Sequence, residues 1–289
     1  MTSDALQEYF APASVAEAVE LLRGGDATIL AGGTDLMPQT QAGRVRFRRA
    51  LVNIRHIPEL GGIGEADGAI RIGALTTVAE IMESNVVRAR LPVLVDAGDH
   101  FASAQLRNAA TIGGNICNAS PAGDLLVPLL VHDAEVELAS DVGGTMVTRR
   151  VALAEFFTGP GKTQRAPGEL LVAVHMPMPA AGHIARFVKF GTRPALDISA
   201  ISIGVAGVLR DRALTGVRVA FGAVAPTPMR GRETEAALEA RPLTADGIAA
   251  AAAVARAEVR PISDVRASDW YRRELVGNLM RRVLTDVAA

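Results

Sequence analysis

The chain has a single cysteine, Cys117, in 289 residues, and that scarcity excludes two classes at once. A lone thiol forms no internal disulfide, so nothing points to an oxidising compartment. An iron–sulfur cluster takes about four thiolates, so this chain cannot build one from its own residues. Histidine is nearly as sparse. The five, at 56, 100, 132, 175 and 183, share no ligand spacing and belong to no Ser/His/Asp arrangement, which argues against a metal centre or a hydrolase. An excess of basic charge is also missing: 30 Lys and Arg face 31 Asp and Glu, so no nucleic-acid backbone is being neutralised. Finally, no apolar run approaches the roughly 20 residues needed to span a bilayer. The longest, Ile198 to Leu209, contains two Ser and two Gly and reads as a buried strand. The first ten residues lack a charged-then-apolar signal pattern, so a cytoplasmic location is expected.

What is present is an ordinary globular composition, 49% hydrophobic and 21% charged, with length for one large or several small domains. Ser14 with Glu17 forms a capping box, and Val15, Ala18, Val19 and Leu22 then share a helical face, which places a helix before the short apolar strand Ala27 to Ala31. Leu51 to Ile54 and Ala69 to Gly73 read as strands, and Thr77 with Glu80 caps another helix. The apolar stretch from about Pro92 to Ala104 reads as a helix, as does Leu125 to Val131. Ala134 to Ala139 and Thr145 to Val151 form strands around a Gly143-Gly144 turn, and Leu170 to Met176 is a strand closed by Pro177 and Pro179. Beyond that step, Arg186 to Phe190, Ile198 to Leu209 and Gly216 to Val224 read as three strands. Helices follow from Thr244 to Ala257 and from Ser268 to Val283, the last with Tyr271, Leu275, Leu279 and Val283 near one face. Strands followed by helices indicate α+β layering.

The chemistry concentrates in two glycine doublets. Thr111 to Asp124 reads T-I-G-G-N-I-C-N-A-S-P-A-G-D, and its turn-forming residues predict a loop. Gly113 and Gly114 lack a Cβ, so a row of backbone N–H groups can face a phosphate there without any Lys or Arg. The second doublet follows a strand: Gly32, Gly33, Thr34 and Asp35 come directly after Ala31. Other candidates fail. Gly159-Pro160-Gly161-Lys162-Thr163 ends like a P-loop, but Phe156 stands where its first glycine belongs, so a surface turn is expected. No G-x-G-x-x-G lies between a strand and a helix.

The combination of A-G-G-T-D-L at Ala31 to Leu36, T-I-G-G-N at Thr111 to Asn115 and a downstream S-P-x-x-D resembles the FAD-binding medium subunit of the molybdenum hydroxylases, the xanthine dehydrogenase and carbon monoxide dehydrogenase family. The resemblance covers nearly the whole length. It implies the α+β fold of vanillyl-alcohol-oxidase (PCMH-type) flavoproteins: an FAD-binding domain over residues 1–177, with subdomains of about 1–60 and 61–177, and a C-terminal domain over 178–289. It also implies that Ala31, Gly32, Gly33, Thr34 and Asp35, with the stretch from Thr111 through Gly114 to Asn115, hold the FAD pyrophosphate, and that Leu36 is a further cofactor-binding residue. Asn118, Ser120 and Asp124 would then lie toward the ribityl chain and flavin ring. Phe101, Leu171 and Lys189 match further cofactor-lining positions, and Pro261 to Glu274 looks like the family's C-terminal signature. Asp35 either caps a turn or binds a ligand, and Asp124 either contacts the flavin or caps the helix at Leu125. Cys117 reads as a small buried hydrophobe and not a flavin attachment point, because no Lys, Arg or His is near it in sequence to lower its pKa. FAD is therefore expected to be non-covalent.

By the same resemblance, molybdopterin would reside on a large partner chain and [2Fe–2S] clusters on a small one, in a dimer of heterotrimers. Electrons would leave through this chain's flavin to NAD⁺, a quinone or another acceptor. Two other readings stand beside it. One is a self-sufficient flavoenzyme, which needs a general base the sequence does not supply; the other is a non-catalytic nucleotide-binding assembly subunit.

Overall fold

The structure is a computed structural model and describes residues 6–193 and 196–289; the first five positions of the stretch read for a signal pattern lie outside these. The chain opens with β1 (Glu8–Phe10), α1 (Val15–Leu22), β2 (Ala27–Leu30), α2 (Leu36–Gln41) and β3 (Ala50–Asn53). The three strands form a parallel sheet in the order β1-β3-β2. Parallel pairing requires crossovers, and α1 is the one between β1 and β2. Ser14 caps α1 by accepting from the Glu17 N–H, while the Glu17 carboxylate reaches back to the N–H of Ala13.

The next stretch holds β4 (Ile63–Ala66), β5 (Ala69–Gly73), α3 (Val78–Glu83), α4 (Asn85–Arg90), α5 (Pro92–Asp99), α6 (Ala104–Arg107), α7 (Ile112–Asn118) and α8 (Leu126–Val131). It continues with β6 (Glu135–Val142), β7 (Thr145–Ala152), α9 (Leu153–Phe156), the small hairpin of β8 (Phe157–Gly159) and β9 (Lys162–Thr163), and β10 (Leu170–Pro177). Its sheet is five-stranded and antiparallel, ordered β4-β5-β10-β6-β7. The capping box at Thr77 and Glu80 is complete. The helix expected over Pro92 to Ala104 is instead two: α5 ends at Asp99, Ala102 takes a positive φ of 37°, and Ser103 caps α6.

The rest is β11 (His183–Phe190), β12 (Ile201–Arg210), β13 (Ala213–Gly222), β14 (Met229–Arg230), α10 (Arg232–Leu238), α11 (Ala245–Glu258) and α12 (Asp269–Ala288). The sheet β11-β12-β13-β14 is antiparallel. Its fourth strand has two residues, too few to leave a period in the sequence, which is why only three were expected. On α12 the buried face is Leu275, Val276, Met280, Val283, Leu284 and Val287. Tyr271, expected on that face, is exposed and meets Phe190 edge-on at 6.3 Å.

One helix joins the second and third sheets. Every residue of α8 is buried, the mark of a helix enclosed on all sides. It lies on β12 and β13 where two glycines make room: a Cβ on Gly204 would stand 2.9 Å from Val127, and one on Gly222 would stand 3.1 Å from it. The α8 C-terminus is tied by Asp133 to Arg218 at 2.7 Å and Arg230 at 2.6 Å.

Candidate functional site

A cleft of about 540 Å³ runs between the first and second sheets, within the usual range for a small-molecule site. Its lining includes Ala31, Gly32, Gly33, Thr34, Asp35 and Leu36 from the first glycine loop, Thr111, Gly114, Asn115 and Asn118 from the second, and Phe101 and Leu171. Twelve of the fifteen site residues expected from sequence are thus brought together. The other three, Ser120, Asp124 and Lys189, are not in the lining. Ser120 turns the chain, its hydroxyl accepting from the Ala122 N–H at 3.3 Å.

The first loop is open. Gly33 has a φ of +74°, and among the described residues the N–H groups of Gly32, Gly33, Thr34 and Asp35 have no acceptor in the protein. Gly32 sits hard against the second lobe: a Cβ there would lie 1.9 Å from the carbonyl oxygen of Ala109, so only glycine fits. Four free donors in succession at a glycine turn form a concavity for an anion.

The second stretch corrects the sequence reading. Thr111 to Asp124 is not all loop, because Ile112 to Asn118 form α7 with Thr111 as N-cap. Packing overrides the poor helix propensity of two glycines: a Cβ on Gly113 would come within 2.8 Å of both the Cβ and the carbonyl oxygen of Ala74. Nor is a row of free donors left. Ile112 N–H donates to Thr76 O, Gly113 N–H to Ala74 O, Gly114 N–H to Thr111 Oγ1 and Asn115 N–H to Thr111 O. What α7 offers the cleft is its exposed Gly114 surface and Asn115, whose Oδ1 is buried without a partner among the described residues. Helix α7 ends at Ala119 in the left-handed region.

Side chains link the two loops across the cleft. Asn118 Nδ2 donates to Asp35 Oδ2 at 3.2 Å, and Gln39 Nε2 donates to Asn118 Oδ1 at 3.2 Å. Asp35 makes no capping bond to α2, so of its two expected roles the capping one is absent. Burial pushes the Asp35 carboxyl above the usual range, with Gln39 pulling it partly back. Cys117 lines the cleft, and burial pushes its thiol up despite the opposing charge of Arg165.

The sequence reading missed the cations. Arg46, Arg48 and Arg165 all line the cleft, arriving from segments remote from either glycine doublet. Arg48 is held by Gly25 O at 2.6 Å and Arg165 by Glu169 O at 2.7 Å. Gln39 and Gly161 were missed too, the latter from the hairpin read as a surface turn. No local signal marks any of them.

Asp124 caps nothing: α8 begins after Leu125 with no side-chain cap. Its Oδ2 accepts from Lys189 Nζ at 2.8 Å and its Oδ1 from Ser199 Oγ at 2.9 Å. Lys189 also donates to His100 O, next to cleft-lining Phe101, at 2.9 Å. Burial raises the Asp124 pKa, and the charge and hydrogen bond of Lys189 oppose this.

A cleft of this size between two α/β lobes, with unpaired N–H groups at a glycine turn, an orphaned buried amide oxygen and converging arginines, defines a protein that binds an anionic cofactor. The particular kind follows from comparison with known proteins. Residues 4–179 match the FAD binding domain in molybdopterin dehydrogenase, and residues 186–287 match the CO dehydrogenase flavoprotein C-terminal domain. The xanthine dehydrogenase FAD-binding subunit of Escherichia coli O157:H7 is 36% identical over 97% of this chain and 96% of its own length. The carbon monoxide dehydrogenase medium chain of Hydrogenophaga pseudoflava is 34% identical over 96% of this chain and 95% of its own. Among solved structures, the H. pseudoflava carbon monoxide dehydrogenase superposes with a TM-score of 0.90 at 33% identity, covering 96% of this chain and 95% of that one. Quinoline 2-oxidoreductase from Pseudomonas putida 86 superposes at 0.90 and 27% identity, covering 100% and 98%. The chain belongs to the family of FAD-binding subunits of molybdopterin dehydrogenases and is an oxidoreductase subunit with the two-part fold expected of it.

Proposed function

We propose that this chain is the electron-transfer subunit of a heteromeric molybdenum hydroxylase, holding FAD non-covalently and passing electrons from [2Fe–2S] clusters on a small partner chain to NAD⁺, a quinone or another acceptor. The observation that carries the reading is the row of free N–H groups from Gly32 to Asp35, facing a cleft in a chain of this family. Substrate would be oxidised at a molybdopterin centre on a large chain, with the whole assembled as a dimer of heterotrimers in the cytoplasm. Residues 1–177 would form the FAD-binding domain, divided near residue 60, and 178–289 the C-terminal domain.

When bound, FAD supplies one- and two-electron redox chemistry. The chain's own residues hold and orient it. The first-loop N–H groups take the diphosphate, each charge-assisted hydrogen bond contributing about 1.5–3 kcal/mol. Asn115 Oδ1 accepts from a cofactor donor, and Asn118 keeps the lobes clasped through Asp35 and Gln39. Phe101 and Leu171 give apolar contact. Asp124 and Lys189 brace the end of the cleft through the backbone of His100, with Ser120 setting the turn that carries Asp124. Arg46 and Arg165 offset the diphosphate charge. With its pKa raised, the Cys117 thiol stays protonated near neutral pH and does not attack the ring.

The test is reconstitution of the purified chain with FAD, followed by rapid mixing with the reduced iron–sulfur partner. The expected result is a flavin spectrum that bleaches on mixing and returns with NAD⁺ or a quinone. Failure to take up FAD, flavin colour that stays with acid-precipitated protein, or no bleaching would each overturn part of the proposal.

A further inference from the structure

Phe101 reaches the cleft from a turn that its own residues do not favour. Residues 100–103 join α5 to α6, and the left-handed φ of 37° falls on Ala102, not on a glycine. Alanine enters that region at a cost, because its Cβ crowds the carbonyl oxygen, so such a turn persists only where neighbouring groups over-determine it. Here they do. The Phe101 N–H donates to Gly98 O at 3.0 Å, and the Ser103 hydroxyl accepts from the Leu106 N–H at 3.3 Å. Three successive carbonyls of the turn then each accept from a cation: His100 O from Lys189 Nζ at 2.9 Å, and Phe101 O and Ala102 O from Arg107 Nη1 at 3.0 and 3.4 Å. Hydrogen bonds from a charged donor are the strong ones.

The two cations hold different sides of the turn. Lys189 comes from β11, is tied to Asp124 and grips the α5 side. Arg107 belongs to α6, the helix that the turn opens, and reaches back over it. Half-buried, it has no carboxylate partner among the described residues, and those two carbonyls are the acceptors its guanidinium finds. Helix α6 has only four residues, too few to persist by its own hydrogen bonds, so it cannot fix the turn without such a tie. Two residues beyond Arg107 stands Ala109, whose carbonyl oxygen lies 1.9 Å from where a Cβ on Gly32 would be. This one short segment therefore touches the donor loop at one end and holds the turn bearing Phe101 at the other. It sets the spacing between the donors and the aromatic wall of the cleft.

We infer that Arg107 is a positioning residue for the cofactor: by holding the carbonyls of Phe101 and Ala102 it fixes the Phe101 ring in the cleft wall before FAD arrives. This rests on the reading of the cleft as the FAD site. Arg107 does not itself line the cleft, so its effect reaches the cofactor through Phe101. A wall that must be ordered at the moment of binding weakens affinity, and one set in advance strengthens it.

The experiment uses the purified full chain, with and without FAD. Arg107→Ala should raise the FAD dissociation constant roughly tenfold and change the visible circular dichroism of the bound flavin. Phe101→Ala should act in the same direction, and adding Arg107→Ala to it should change neither quantity further, since both act through one ring. In the cofactor-free chain, Arg107→Ala should speed hydrogen exchange at the Phe101 amide, while the Ala110 amide, held by Leu106 O at 2.7 Å, keeps its rate. Arg107→Lys should restore most of the affinity, because a single nitrogen serves both carbonyls. Should Arg107→Ala fail to fold, Arg107→Gln, which keeps polarity but loses reach, is read in the same way. Additive losses in the double variant, or native affinity and dichroism in Arg107→Ala, overturn the positioning role and leave the FAD reading standing. Exchange that rises equally at Phe101 and Ala110 makes Arg107 a prop for the segment as a whole and also overturns it. A native chain that takes up no FAD overturns both.

Discussion

The two glycine doublets of this chain look alike in sequence and differ in what they leave available. Gly32 and Gly33 turn the backbone between β2 and α2 with no acceptor for the N–H groups of Gly32 to Asp35 among the described residues. Gly113 and Gly114 sit inside α7, and the N–H groups from Ile112 to Asn115 are all satisfied, by Thr76, Ala74 and Thr111. The first doublet therefore supplies donors, whereas the second supplies space. A glycine pair alone does not tell which: the outcome depends on whether carbonyls from another segment stand opposite, as those of Ala74 and Thr76 stand opposite α7.

The largest effect expected from this contrast is at Gly32. In Gly32→Ala the new methyl would stand 1.9 Å from Ala109 O, against backbone that cannot rotate away, so the lobes must part. Loss of stoichiometric FAD and a fall in melting temperature of several degrees are expected, corresponding to roughly 1–3 kcal/mol of overpacking or more. Retention of full FAD occupancy would break the comparison at its first term.

Next comes the division of labour within the second doublet. Gly113→Ala drives its Cβ to 2.8 Å from Ala74 and should cost stability, about 1–3 kcal/mol in chemical denaturation. Gly114→Val faces open cleft apart from Thr111 Oγ1 at 2.9 Å, so it should lower FAD affinity more than it lowers stability. Equal stability losses at the two positions would mean that Gly114 is packed and not exposed. Removing the cap in Thr111→Ala should cost about 1 kcal/mol and weaken FAD only slightly, since its hydroxyl serves the helix.

Two smaller effects concern charge. Asp124→Asn leaves the Lys189 ammonium unbalanced beside His100, next to cleft-lining Phe101, so the flavin potential should rise, with about 30 mV per roughly 1.4 kcal/mol for a two-electron couple. An unchanged potential in redox titration would remove the ion pair from any influence on the cofactor. Asp35 lies in the donor row itself, and burial raises its pKa. With the folded pKa above the unfolded one, its neutral form is favoured as pH falls, and a neutral side chain repels a diphosphate less. FAD affinity should therefore increase on acidification through the carboxylate range, and Asp35→Asn should bind FAD more tightly with that pH dependence flattened.

How much of this was legible beforehand depended on whether the signal was local. Periodicity and caps located α1, α3, α11, α12 and most long strands, because those features sit within a few consecutive residues. Elements held by distant partners left little trace: α7 forms because Gly113 backs onto Ala74, and β14 exists only as the two residues that pair with β13. At the site, the glycine motifs and their resemblance assembled most of the cleft. Arg46, Arg48 and Arg165 were out of reach, since their contribution comes from the fold bringing β3's approach and the β9–β10 connection to one place. Asp124 and Lys189 were picked as separate residues, while their pairing at 2.8 Å across 65 positions is a property of packing alone.

The central claim is that the first glycine loop carries the diphosphate donors. Hydrogen exchange on the full chain, with and without FAD, tests it residue by residue. Amides of Gly32 to Asp35 should exchange fast without cofactor and become protected with it, while those of Ile112 to Asn115, already hydrogen-bonded, should be slow in both states. Protection gained at Ile112 to Asn115 with none at Gly32 to Asp35 would contradict the account.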